Sequence, residues 1–258
     1  VELRTFKAPK AEIHLLEGGS GPDLLFLHGA GGTTVDDPFL AALAEKYHVY
    51  APLLPGYGES DESSEIRNML DFTLHTHDVM TALGLDKPIL VGHSMGGMIA
   101  AEMAAILPND IDKLCLICSA GLWLEEHPIP DVFATMPYEL PELLFHDPEA
   151  GAAMMTAGAD FSDPEFLTAF LIQNGRQLGM AGKILFPVPD RGLNERLYRV
   201  KAKTVLVWGE SDRLIGMPYG EAFNQAIAGS ELVRVPEAGH MVMVEQTAAV
   251  LAAIGKLN

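Results

Sequence analysis

Residues 88–107 read PILVGHSMGGMIAAEMAAIL, an apolar run, the pentapeptide Gly92-His93-Ser94-Met95-Gly96, and then a run of good helix formers. A buried strand that must become a helix within one turn constrains the chain more than any other stretch of this sequence. The spacing predicts a strand over 88–92 and a helix over 96–107, stopped by Pro108. The glycines have a steric reason. A serine on so sharp a turn holds a strained backbone, and side chains at 92 and 96 would collide with the neighbouring strand and helix. Such a turn lifts the Ser94 hydroxyl to the rim of a sheet. It also aims the positive end of the following helix, and the Met95 N–H, at whatever the hydroxyl attacks.

The rest of the chain repeats this rhythm. Short Leu-, Val- and Ile-rich runs alternate with amphipathic stretches, the pattern of an α/β fold with a mostly parallel central sheet flanked by helices. Residues 3–8 and 12–17 read as edge strands joined by a turn at Pro9-Lys10. Further strands are predicted over 23–27, 48–51, 113–117, 204–208 and 231–235. Helices are predicted over 38–45, 66–83 with Gly84 as the left-handed C-terminal residue, 218–228 and 243–256. Between 122 and 196 the rhythm changes: prolines recur at 128, 130, 137, 141, 148, 164, 187 and 189, and the segments between them read as short helices. We therefore expect a core made of 1–121 and 197–258, carrying a helical cap inserted over 122–196. A chain of 258 residues is long enough for that plan.

Charge narrows the partners. Seventeen basic against 35 acidic residues give a formal charge of −18, which repels nucleic acid and anionic membrane surfaces. No apolar run reaches the length of a membrane span and no secretory leader opens the sequence, so a cytoplasmic protein with no membrane partner is the expectation. Cys115 and Cys118, in KLCLICSA, have C-x-x-C spacing. They fall on a predicted buried strand without a second ligand pair, so they read as two core thiols. No metal and no cofactor is expected.

A nucleophilic serine needs a base, and nine histidines compete for the role. His240, in VPEAGHMVMVE, follows the last predicted strand and is the candidate. His14, His48, His75, His77, His127 and His146 read as surface or structural residues, and His93 as pointing away from the chemistry. The orienting acid should stand at a strand end between serine and base. Asp212, in VLVWGESDRLI, fits, with Glu210 as the alternative; the strand end after Ile117 offers only Cys118, Ser119 and Ala120. An oxyanion hole is required as well. One donor would be Met95 N–H and the other would come from His28-Gly29-Ala30-Gly31-Gly32, with Ala30 as the choice.

HGAGG, PLLPGYGESD, VGHSMGG, WGESDRL and EAGHMVMVE, in this order along nearly the whole chain, resemble the α/β-hydrolase superfamily. The resemblance implies the α/β-hydrolase fold and a serine hydrolase with Ser94, Asp212 and His240 as its triad. Members with an aspartate nucleophile, the haloalkane dehalogenases and epoxide hydrolases, are disfavoured because Ser94 holds that position. The chain looks most like small bacterial carboxylesterases and the carbon–carbon bond hydrolases of aromatic ring cleavage. The second group often has Asn before the serine and Trp after the histidine, where this chain has His93 and Met241. Arg176, in FLTAFLIQNGRQ, resembles the cap arginine with which those enzymes hold a substrate carboxylate, and reads equally well as a solvated helix-face charge. Four basic against twelve acidic residues in 122–196 offer an anion little attraction.

A carboxylesterase acting on small to medium neutral esters ranks first. A carbon–carbon hydrolase comes second, lactonase and perhydrolase activities remain open, and a non-catalytic ligand-binding protein is the reading from another class. Substrate would enter between cap and sheet, meeting His28, Gly29, Gly31, Met241, Met243, Trp123 and Arg176. Phe133, Met136, Met154, Met155, Phe161 and Phe170 read as core or as pocket lining.

Overall fold

The computed structural model describes residues 1–157, 159–185 and 190–258. Eight strands form one sheet: β1 (Glu2–Lys7), β2 (Glu12–Gly18), β3 (Asp23–Leu27), β4 (His48–Pro52), β5 (Ile89–His93), β6 (Lys113–Ile117), β7 (Lys203–Gly209) and β8 (Glu231–Val235). Their spatial order is β1-β2-β4-β3-β5-β6-β7-β8. The β1–β2 and β2–β4 pairs are antiparallel, and every other pair is parallel. Only β1 of the first two strands is an edge. β2 lies inside the sheet, because β4 takes its second side.

The parallel strands are covered on both faces, which is why they read as unbroken apolar runs. All of β5 is buried, as is β3 from Leu24 to Leu27 and β7 from Thr204 onward. Removing one such leucine side chain from water is worth about 2 kcal/mol. The helices α1 (Pro38–Ala44), α2 (Met69–Ala82), α3 (Met95–Ile106), α7 (Met217–Ala226), α8 (Val242–Glu245) and α9 (Thr247–Gly255) alternate with the strands. Asn68 caps α2, its side chain accepting from Asp71 N at 3.1 Å, so the helix starts later than the hydrophobic pattern alone suggests. Gly84, at φ +72°, ends it with N–H bonds from Gly84 to Thr81 O and from Leu85 to Met80 O. The single helix expected over 243–256 is two, because Gln246 leaves the helical region at φ −135°.

Between β6 and β7 the described residues hold three α-helices, α4 (Leu140–Leu144), α5 (Pro148–Met155) and α6 (Pro164–Leu185), one 3₁₀ turn at Leu197–Arg199, and no strand. Prolines open α5 and α6, where a missing N–H costs nothing. Pro187 and Pro189 lie outside the described residues. The C-terminal half of α6 is fastened to the loop after β4. Arg176 Nε donates to Glu62 at 2.9 Å, Lys183 donates to Ile66 O at 3.0 Å, and buried Met180 packs where Gly56, at φ +82°, leaves out a side chain. Farther on, Arg196 reaches back to Glu102 of α3, a carboxylate that is only 2% exposed.

The connections place β3 and β5 side by side, with the chain leaving β3 toward β4 on one side and β5 toward β6 on the other. The crevice outside the carboxyl ends of two such strands is where open parallel sheets hold ligands. Ser94 and the His28–Gly32 loop follow those two ends.

Candidate active site

Ser94 sits between β5 and α3 at φ 52°, ψ −114°, a conformation a non-glycine residue holds at a cost of about 1–3 kcal/mol. The surroundings enforce it. Ser94 N donates to Ile117 O at 3.0 Å, and Ser94 O accepts from Ala120 N at 3.0 Å and from Met98 N at 3.1 Å. A Cβ at Gly96 would lie 2.6 Å from His28 O, and one at Gly92 would lie 2.7 Å from the Gly97 Cα. The glycines thus let β3, β5 and α3 converge. Ser94 makes no side-chain cap on α3, so its hydroxyl is not spent on the helix that starts beside it. The residue is 9% exposed at the floor of the crevice.

Asp212 and His240 follow the carboxyl ends of β7 and β8, on the same rim. His240 Nδ1 lies 2.8 Å from Asp212 Oδ2, and the two side chains are 3% and 0% exposed. The other carboxylate oxygen accepts from Leu214 N at 2.9 Å and Ile215 N at 2.8 Å. Trp208 Nε1, deep in β7, donates to Ile215 O at 2.7 Å and fixes that turn. A carboxylate so held accepts a hydrogen bond from Nδ1–H, which leaves Nε2 as the imidazole's lone-pair nitrogen. Glu210, the alternative acid, is exposed, and among the described residues its side chain bonds nothing, while its backbone N–H donates to Val235 O.

His93 belongs to this site more closely than its place beside the serine suggested. Its Nε2 donates to His240 O at 3.0 Å and the two rings lie 4.9 Å apart. Burial first, then the neighbouring His240, holds the His93 imidazole down at about 3, so it is neutral. Cys118 was expected as an inert core thiol, and it is buried. It stands one residue past β6 at φ 42°, however, with its sulfur, an Asp212 oxygen and a His240 nitrogen all within 4.8 Å. Burial, then the Asp212 carboxylate, pushes the thiol well above its ordinary range, so it remains protonated against that carboxylate. Nothing in the local pattern of KLCLICSA signals this, since the contact depends on β6 and β7 being neighbours.

The loop after β3 turns at Gly29–Gly32, closed by Gly32 N to Gly29 O at 3.0 Å. His28 Nδ1 donates to the same Gly29 carbonyl at 2.8 Å, while its Nε2 accepts from Leu54 N at 3.0 Å. Burial lowers the His28 imidazole to about 4 and keeps it neutral for these two roles. A trans peptide points its N–H opposite its C=O. Two donors on Gly29 O therefore fix the direction of the Ala30 N–H. Tyr57, whose hydroxyl donates to Ala30 O at 3.0 Å and whose ring lies 4.5 Å from that of His28, clamps the loop from above. Tyr57 belongs to PLLPGYGESD, and its role was not legible in that motif. Gly29 faces the serine: a Cβ there would come 3.3 Å from Ser94 Cβ.

The remaining candidates divide. Met243 is buried, Met241 and Trp123 are half-buried, and Gly31 is exposed with open space around it. Arg176 bonds Glu62 and Gly58 O, so its charge is already met. Met136, Met154, Met155, Phe161 and Phe170 are exposed rather than core. Residues 142–146, from α4 onward, bind both loops of the Asp–His pair. Arg213 donates to Glu142 O and Phe145 O, His146 Nδ1 meets Ser211 Oγ at 2.7 Å, and Met241 N donates to Leu144 O at 3.0 Å. Glu245 accepts from both His146 N and Gly239 N at 2.7 Å.

A model of the alpha/beta hydrolase family matches residues 24–253. Lipase 1 of Psychrobacter immobilis is 30% identical over 239 residues, covering 88% of this chain and 73% of the lipase. A 2-hydroxy-6-oxo-6-phenylhexa-2,4-dienoate hydrolase of Burkholderia cepacia is 30% identical over 259 residues, covering 90% and 86%. In structure, the hydrolase of that same name from Rhodococcus sp. strain RHA1 superposes with a TM-score of 0.78 at 22% identity, covering 99% of this chain and 97% of the other, a likeness of fold.

Proposed function

The chain belongs to the alpha/beta hydrolase family, whose members are hydrolases, and on that premise we propose that it is a serine carboxylesterase acting on small to medium neutral esters. The observation that carries this reading is the buried 2.8 Å pairing of His240 with Asp212 on the sheet rim that also holds Ser94 on its strained turn. In the proposed reaction Nε2 of His240 takes the Ser94 proton as Oγ attacks the ester carbonyl. The Ala30 and Met95 N–H groups receive the developing oxyanion. Collapse breaks the carbon–oxygen bond, and the alcohol leaves with the proton from His240. Water, deprotonated by the same imidazole, then attacks the acyl-Ser94 ester and releases the acid. No step asks for a cofactor.

His28, Gly29 and Tyr57 act through the Ala30 peptide, setting its donor. Met241, Met243, Trp123 and Gly31 would contact the substrate, and 122–196 would form a cap over it. Arg176 gives less support to a carboxylate-holding role, since Glu62 already neutralises it. That favours a neutral ester over the anionic dienoate named for the Burkholderia relative. The test is a panel of p-nitrophenyl esters of graded acyl length beside one ring-cleavage dienoate and one lactone, with wild type and Ser94→Ala. Ester turnover that vanishes in Ser94→Ala, without dienoate cleavage, is the expected result. Dienoate cleavage exceeding every ester would replace this reading with the carbon–carbon one. Failure of an organophosphonate to label Ser94 would point instead to a binding protein.

A further inference from the structure

Past Glu165, the first half of α6 is apolar on nearly every side and, among the described residues, packs against little else. Between Phe166 and Gln173 the sequence reads FLTAFLIQ, with no charged residue. Leu167, Phe170, Leu171 and Ile172 are 36%, 42%, 58% and 62% exposed. At about 100° per residue, the apolar side chains of this stretch leave no angular gap around the helix wider than about 100°. Phe161, on the preceding turn, extends the surface: its ring lies 5.7 Å from Phe166 and 5.3 Å from Phe170. Monomeric proteins seldom leave so much contiguous apolar surface in water without a use for it.

From this geometry we infer that the N-terminal half of α6 inserts into the surface of a zwitterionic or uncharged lipid phase, and that the esters this protein hydrolyses are presented there. Three observations favour that occupant. A flat partner, whether a second copy or the protein's own body, covers one face of a helix and leaves the others wet. A fluid acyl phase covers all of them, which suits a segment that is apolar all round. The segment is about 15 Å long, too short to cross a bilayer and long enough to lie in its boundary. The net charge of −18 repels anionic headgroups, so the phase must carry little negative charge. The expectation of no membrane partner rested on the lack of a span-length apolar run and on that repulsion, and neither bears on shallow insertion into an uncharged surface.

Position ties the surface to the chemistry. About one turn beyond Gln173, the Gln177 amide nitrogen would be 3.7 Å from a Cβ on Gly32, in the loop that carries Ala30. Arg176, next to it, donates to Gly58 O. The exposed half of α6 therefore projects from a point fixed beside the oxyanion loop, and whatever it enters lies at the mouth of the crevice. The substrate class inferred here rests on the esterase reading; the lipid binding does not.

The test uses the full chain in a Ser94→Ala background, so that no lipid is consumed. It measures flotation with phosphatidylcholine vesicles and with phosphatidylglycerol vesicles. Flotation on phosphatidylcholine, weaker on phosphatidylglycerol, and reduced more than about tenfold by Leu171→Glu with Ile172→Glu, is expected. With Ser94 present, the double variant should keep turnover of dissolved p-nitrophenyl acetate while losing turnover of an emulsified medium-chain ester. Absence of flotation overturns the inference, as does equal flotation by the double variant. A dimer in sedimentation velocity that the double variant abolishes, without vesicle binding, assigns the surface to a second copy instead. If wild type turns over no dissolved ester, the esterase reading fails and the vesicle result stands on its own.

Discussion

Three imidazoles, His28, His75 and His93, are 1%, 1% and 4% exposed, and burial holds them at about 4, 4 and 3. All three are neutral in the folded protein near pH 7. In the unfolded chain each takes up a proton near pH 6.5. The folded values are the lower ones, so their contribution to stability is full above pH 6.5 and is lost as pH falls from there toward 4. With three more protons bound by the unfolded chain, the slope reaches about 4 kcal/mol per pH unit in that window. From pH 7 to pH 5 the loss is about 2 kcal/mol for each histidine and about 6 kcal/mol together. Since domains are stable by only about 5–15 kcal/mol, the protein should approach unfolding near pH 5. His75 isolates the effect. Among the described residues neither ring nitrogen has a hydrogen-bond partner, and the ring lines a small apolar hollow with Ile13, Leu53 and Val79. Urea denaturation followed by circular dichroism at pH 7, 6 and 5 should give His75→Leu about two thirds of the wild-type pH slope, with its ester turnover at pH 7 unchanged. Parallel stability profiles for the two proteins, or a wild-type free energy that is level across this range, would refute the reasoning.

Asp212→Asn should cut turnover about 10⁴-fold while leaving the melting temperature nearly intact, since the amide reverses the imidazole tautomer; an unaffected rate would return the role to Glu210. Ala30→Pro removes one oxyanion donor at a turn position that proline tolerates, so kcat should fall about 10²–10³-fold with circular dichroism unchanged. Arg196→Ala strands the Glu102 carboxylate in the interior and should cost about 3 kcal/mol in chemical denaturation, whereas Arg196→Ala with Glu102→Leu should recover most of it.

The Ser94 turn was legible because everything it needs is local: two glycines, a serine, an apolar run before and a helix after. The parallel strands were legible for a similar reason, since burial on both faces writes itself into consecutive residues. What depends on strand order was not. Cys118 meets Asp212 only because β6 and β7 are neighbours, and Tyr57 meets Ala30 only because the loops after β3 and β4 fold together. β2 looked like an edge because alternation does not reveal how many partners a strand has. The C-terminal pattern is periodic through Gln246, but Glu245 turns its carboxylate to the backbone of Gly239 and His146, and the helix breaks there. Methionine and phenylalanine in 133–170 suggested core or lining by composition alone. Composition carries no information about whether a helix has a neighbour, and among the described residues the start of α6 is exposed.

The stitching of residues 142–146 to the loops of Asp212 and His240 bears on how this protein could be re-engineered. A transplant that exchanged the whole of 122–196 for a foreign sequence would cut five anchors that steady the loops of Asp212 and His240, and on the proposed mechanism the chimera would be slow whatever it bound. Leaving 140–146 in place and grafting only the residues from 147 onward preserves those anchors. The practical seam between interchangeable and indispensable chain therefore runs after His146, inside the excursion rather than at its borders.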